Sequence, residues 1–119
     1  MKIRQSAEDY LEAILRLREE KGYARSIDIA TSLGITKPSV SVAMKRLREN
    51  HYINMDENNY ITLTDKGNEI ASRIYHRHRT LTKFLTNLGV NPETAQEDAC
   101  RVEHVISEES FDAILNSME

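Results

Sequence analysis

The stretch "SIDIATSLGITKPSVSVAMKRLREN", residues 26–50, constrains the fold more than any other part of the chain. Ser26 is placed to cap a short helix whose apolar face is Ile27, Ile29, Ala30 and Leu33, and Gly34 stops it. Pro38 then stands in the first turn of a second helix, where its missing N–H costs nothing because that position has no intrahelical partner. Two helices separated by only a few residues around a glycine form a helix-turn-helix.

In the next stretch, "YINMDENNYITLT", the period changes. Ile53 and Met55, then Ile61 and Leu63, alternate on either side of the turn-rich "DENN", which predicts a small β-hairpin, or wing. Helices are expected on both sides of this winged helix. The first starts at Ser6 as N-cap with Glu8 and Asp9 in its first turn, carries the stripe Tyr10, Leu11, Ile14, Leu15, Leu17, and ends near Gly22. After the hairpin, Thr64 caps a long helix, "DKGNEIASRIYHRHRTLTKFLTNL", that stops at Gly89. Pro92 opens another through "ETAQEDACRVEHVI", and Ser107 caps a last one with the stripe Phe111, Ile114, Leu115, Met118. The expected fold is mainly α, a winged helix-turn-helix followed by an α-helical domain. Without an internal repeat or flexible linker, the boundary falls inside the long helix, dividing residues 1–72 from 73–119.

A chain of 119 residues can hold one compact core or two small ones. Its net charge of −3 conceals an uneven distribution: residues 1–83 carry 15 Lys+Arg against 11 Asp+Glu, and residues 84–119 carry one against eight. A basic module suited to phosphate is thus followed by an acidic one. No run of about 18 apolar residues occurs, nor the apolar stretch of a signal peptide, so a cytoplasmic protein without a membrane partner is expected. Its single cysteine, Cys100, cannot form an intramolecular disulfide and calls for an explanation by packing, redox chemistry or ligation.

The second helix of the pair presents Thr36, Lys37, Pro38, Ser39 and Ser41 near its N-terminus, and Lys45, Arg46 and Arg48 further on; Arg25 precedes the first. Short hydroxyls and an N-terminal lysine suit base edges and nearby phosphates, and later cations suit the backbone, so double-stranded DNA is the expected partner. In "DACRVEHVIS", Cys100, Glu103 and His104 stand at i, i+3 and i+4 and would share a helix face; Asp9 and Glu12 do the same at i, i+3. Thiolate, imidazole and carboxylate together are a ligand set for divalent Fe, Mn, Co or Zn. The plainer readings are a small buried hydrophobe at Cys100 and an exposed pair at Glu103 and His104. A nucleophile and base on Cys100 and His104 is a third, but no second motif for a substrate accompanies it.

Taken together, "SAEDYLEAI", the winged helix, "YHRHRTLTKFL" and "DACRVEHVIS" resemble the metal-dependent repressors that include the diphtheria toxin repressor and the manganese transport regulator, over nearly the whole chain. The resemblance implies a homodimer on operator DNA, gated by a metal held between the first helix, the long linking helix and the first helix of the dimerisation domain. Its ligands would fall on Asp9, Glu12, His78, Cys100, Glu103 and His104. Asp9 and Glu12 are similar to the manganese type and Cys100 to the iron type. Gln96 and Thr82 depart from the histidine and glutamate of the iron-type ancillary site, and the chain ends without an SH3-like third domain, as in two-domain manganese regulators. His76, about 200° around the helix from His78, is expected in solvent. Because thiolate favours the softer metals, Fe(II) is expected ahead of Mn(II), with Co(II), Zn(II) or Ni(II) as substitutes. The alternative is a metal-independent winged-helix regulator whose helical domain dimerises or binds a small molecule.

Overall fold

The computed structural model describes residues 5–119, which form α1 (Gln5–Lys21), α2 (Ser26–Leu33), α3 (Lys37–Glu49), β1 (Ile53–Met55), β2 (Ile61–Leu63), α4 (Asp65–Asn87), α5 (Pro92–Val102) and α6 (Glu108–Ser117). Two compact units divide between Ser72 and Arg73, inside α4. Among the described residues no helix is long and apolar enough to cross a membrane.

In the first unit the apolar stripes of three helices close on one core: Leu11, Ile14 and Leu17 from α1, Ile29 and Ala30 from α2, and Val40, Met44 and Leu47 from α3. Tyr52, Ile53, Ile61 and Ala71 complete it from the hairpin side and α4. Ser6 lies within α1 rather than capping it, and Ser26 is the first residue of α2, with Arg25 as N-cap. The Arg25 amide donates to Asp28 Oδ2 at 3.1 Å, so the acid of the first turn fixes the start of α2. Ile27 is corrected as well: it is 46% exposed, because it sits about 200° around the helix from buried Ile29. Gly34 ends α2 at φ 67°, a left-handed conformation in which glycine has no Cβ penalty.

The hairpin is antiparallel, with Ile53 opposite Leu63 and Met55 opposite Ile61. Its turn is stabilised by Asp56, whose Oδ1 accepts from the amides of Asn58 and Tyr60, each at 2.9 Å. Two bonds anchor the wing: Ile61 N–H donates to Ala24 O at 2.8 Å, and the Thr64 hydroxyl donates to His51 O at 2.7 Å. The same hydroxyl accepts from Gly67 N–H at 3.1 Å, capping α4. Gly67 is glycine for want of room, since a Cβ there would stand 2.0 Å from Tyr52 O.

The second unit is built on the remainder of α4. Leu81 from α4, Ala99 from α5 and Phe111 from α6 are its buried cluster, with Ile106, Ile114 and Leu115 packed against it. Asn91 caps α5 by accepting from Glu93 N–H at 2.9 Å, and Ser107 caps α6 by accepting from Ser110 N–H at 3.1 Å. The expected helix through Ile106 is shorter: α5 stops at Val102, and Glu103 and His104 lie in the turn beyond it.

Candidate functional site

The first unit presents a cationic face. Arg25, Thr36, Lys37, Pro38, Ser39, Ser41, Lys45, Arg46 and Arg48 are all exposed. Six of the residues lining one groove in this unit are Arg25, Lys37, Ser41, Lys45, Arg48 and, from the wing, Asn59. The Arg25 guanidinium donates to Asn58 O at 3.2 Å and lies 5.2 Å from the Tyr60 ring centroid, so this cation links α2 to the wing. Thr36 is engaged locally: it caps α3, accepting from Ser39 N–H at 3.4 Å and donating to Ser39 Oγ at 2.9 Å. Basic Arg46 and Arg48 lie in the last turn of α3, where the helix dipole favours them.

In the second unit the turn after α5 is organised by Arg77 on α4. This arginine is 7% exposed and donates from Nη1 to Glu103 O at 3.2 Å and to Ile106 O at 2.9 Å. Its guanidinium carbon lies 5.5 Å from the Phe111 ring centroid. Val105 N–H and Ile106 N–H both donate to Val102 O, each at 3.0 Å, which closes the helix and turns the chain. Arg77 was not among the expected functional residues. Its signal was a cation between Ile74 and Leu81 on the apolar face of the long helix, where a charge needs partners.

The turn presents Glu103 and His104. Glu103 is 0% exposed, with Oε2 2.8 Å from His78 Nδ1 and Oε1 3.4 Å from His104 Nε2. The His104 side chain is 1% exposed and that of His78 27%. Glu103 Oε1 is buried without a hydrogen-bond partner among the described residues. Cys100 Sγ lies within 4.8 Å of a Glu103 carboxylate oxygen, but the cysteine is exposed. The four side chains therefore converge, though not along one helix face: Cys100 is helical, Glu103 and His104 follow the helix end, and His78 comes from α4. His76 is exposed, its ring edge-on to Phe111 at 5.5 Å. Gln96 is exposed, and the Thr82 hydroxyl is spent on His78 O at 2.7 Å.

Asp9 and Glu12 stand one turn apart on α1, half-buried and 6% exposed respectively. Arg16 Nη1 approaches Glu12 Oε1 at 3.9 Å.

A carboxylate removed from water costs several kcal/mol unless charge or hydrogen bonds compensate it. Glu103 has one oxygen without a hydrogen bond, two imidazoles beside it and a thiol nearby. Oxygen, nitrogen and sulfur donors at one point suit a first-row divalent cation, so the residues fit such an ion.

Comparison with known proteins identifies the family. Residues 2–59 match the family model of the iron dependent repressor N-terminal DNA binding domain, and residues 64–119 that of the iron dependent repressor metal binding and dimerisation domain. The transcriptional regulator MntR of Salmonella typhimurium is 39% identical over 112 residues, 94% of this chain and 71% of that protein. The crystal structure of T. acidophilum IdeR superposes with a TM-score of 0.84 at 29% identity, over 99% of this chain and 55% of that one. A manganese-dependent transcriptional repressor in complex with manganese gives 0.82 at 28% identity, over 91% of this chain and 50% of that one. The chain thus spans about half the length of these two solved proteins.

Proposed function

The chain belongs to the iron-dependent repressor family, whose members are transcriptional regulators and not enzymes, and from that membership we propose that it represses transcription in response to a divalent transition metal. In this reading a homodimer binds double-stranded operator DNA when loaded with metal. Residues 1–72 supply the DNA contacts through Arg25 and the exposed face of α3, and residues 73–119 supply dimerisation and most of the ligands.

The observation that carries the reading is Glu103, a fully buried carboxylate with one oxygen lacking a hydrogen bond and with His78 and His104 beside it. His78, Cys100, Glu103 and His104 form the proposed donor set in the second unit. Asp9 and Glu12 join it on the strength of the family resemblance, tethering α1 to the bound ion. A bound cation would supply the positive charge that the buried carboxylate lacks. Arg77 holds the turn so that Glu103 and His104 keep their directions. The groups on α3 in the first unit act on DNA: Lys37, Lys45, Arg46 and Arg48 neutralise phosphates, and Pro38, Ser39 and Ser41 approach base edges. A symmetric dimer would place two such helices in successive major grooves, about 34–36 Å apart.

Thiolate from Cys100 favours Fe(II) over Mn(II), and the carboxylates keep Mn(II) admissible, with Co(II), Zn(II) and Ni(II) as substitutes. The test is operator binding by metal-stripped protein, titrated in parallel with Mn(II), Co(II), Zn(II) and, without oxygen, Fe(II). The Co(II) form should show a sulfur-to-metal charge-transfer band that Cys100→Glu removes while raising the response to Mn(II). A parent Co(II) spectrum without that band takes Cys100 out of the ligand set. Equal DNA binding by stripped and loaded protein would favour a metal-independent regulator.

A further inference from the structure

The exposed face of α3 has an apolar centre. Val40, Met44 and Leu47 are buried and define the core-facing side of the helix. At 100° per residue, Val42 projects about 200° from Val40, and Pro38, four residues earlier, falls beside it. Val42 is 57% exposed, one of the largest exposures of any large apolar side chain among the described residues. On one flank of this centre stand Ser41 and Lys45, and on the other Ser39 and Arg46, all exposed. Glu49 falls on the same line two turns later, where its charge opposes phosphate, so along this line close approach to DNA is confined to the turns before it.

An exposed valine on a helix surface is ordinary by itself. Its setting between hydroxyls and cations on the outer face of α3 is what selects an occupant. In the major groove of DNA the one apolar feature is the C5 methyl of thymine, and apolar side chains read it by contact. We propose that Val42 is a sequence-determining residue of this regulator, packing on a thymine methyl in each operator half-site while the flanking cations hold the adjacent phosphates. This rests on the operator-binding reading above and adds to it a base preference written by a residue that can make no hydrogen bond.

The experiment uses the full chain loaded with the metal that gives strongest binding. Duplexes are selected from a random pool, and each thymine of the selected site is then replaced by uracil, which removes the methyl group and nothing else. The parent should lose about fourfold in affinity at one thymine per half-site, the worth of one buried methyl. Val42→Ser should bind the thymine site more weakly, and there it should no longer distinguish thymine from uracil. Circular dichroism and metal affinity of the variant should match the parent, since the side chain lies on the outer face of α3. Full uracil sensitivity in Val42→Ser, or no uracil-sensitive position in the parent, overturns the assignment. Selection of no duplex with any metal overturns the operator-binding reading, and this inference with it.

Discussion

Glu103 is where the chemistry concentrates. Replacing its carboxylate by an amide of the same shape tests its charge while sparing the turn, because the Arg77 guanidinium holds the turn by the backbone carbonyls of Glu103 and Ile106, which the substitution leaves in place. In Glu103→Gln the metal-stripped protein should melt at or above the temperature of the parent, as a buried charge has gone. The rise in melting temperature on adding metal should disappear; for an ion at 100 times its Kd that rise represents about 2.7 kcal/mol. Calorimetric scans with and without Mn(II) read both. Arg77→Met should act in the opposite sense, lowering stability by about 1–3 kcal/mol in denaturant unfolding, because the carbonyls of Glu103 and Ile106 lose their donor. The spacing of Cys100, Glu103 and His104 was legible in the sequence, and the family resemblance singled out His78, which stands 2.8 Å from Glu103. The role of Arg77 was not, because its partners are backbone carbonyls, which every residue has and no side-chain pattern names.

At the scale of elements, the punctuation was the legible part. Gly34 and Pro38 bounded the helix pair, "DENN" the hairpin, and Thr64 and Ser107 the caps of α4 and α6, each a residue whose backbone preference or side-chain acceptor acts locally. The end of α5 was misjudged because Val102, Val105 and Ile106 continue an apolar period, whereas the stop is imposed by bonds to Val102 O and by Arg77 on another helix. Gly67 is a second element-level constraint, invisible in sequence because it depends on the close approach of α4 to Tyr52. Gly67→Ala should destabilise the first unit by about 3 kcal/mol, at the upper end for overpacking, since the obstructing atom is backbone; urea unfolding measures it. On α3, Lys45→Ala should weaken all duplexes alike and lower the salt slope of binding by about one unit, as expected for one lost phosphate contact. An unchanged slope would remove Lys45 from the interface.

For the whole molecule, the charge distribution reads differently once the units are known. Divided after Ser72, the first part of the sequence carries 11 Lys+Arg against 11 Asp+Glu, and the second five against eight. The cations Arg73, Arg77, Arg79 and Lys83, which made residues 1–83 look basic, belong to the second unit, and Arg77 is buried. Attraction for phosphate is therefore local to α3 and Arg25 rather than a property of the unit. Binding to arbitrary DNA should accordingly be weak, leaving room for a ligand to decide the outcome. A ligand shifts such an equilibrium only by its differential affinity for the two states, so the coupling must run through residues that meet the ion. The most direct measurement is operator affinity with and without saturating metal, for the parent and for His104→Ala at equal protein concentration. The account predicts that metal strengthens the parent at least tenfold, about 1.4 kcal/mol of coupling, and leaves His104→Ala at its metal-free affinity. An equal gain in both proteins would contradict it, because DNA binding would then respond to metal without the cluster around Glu103.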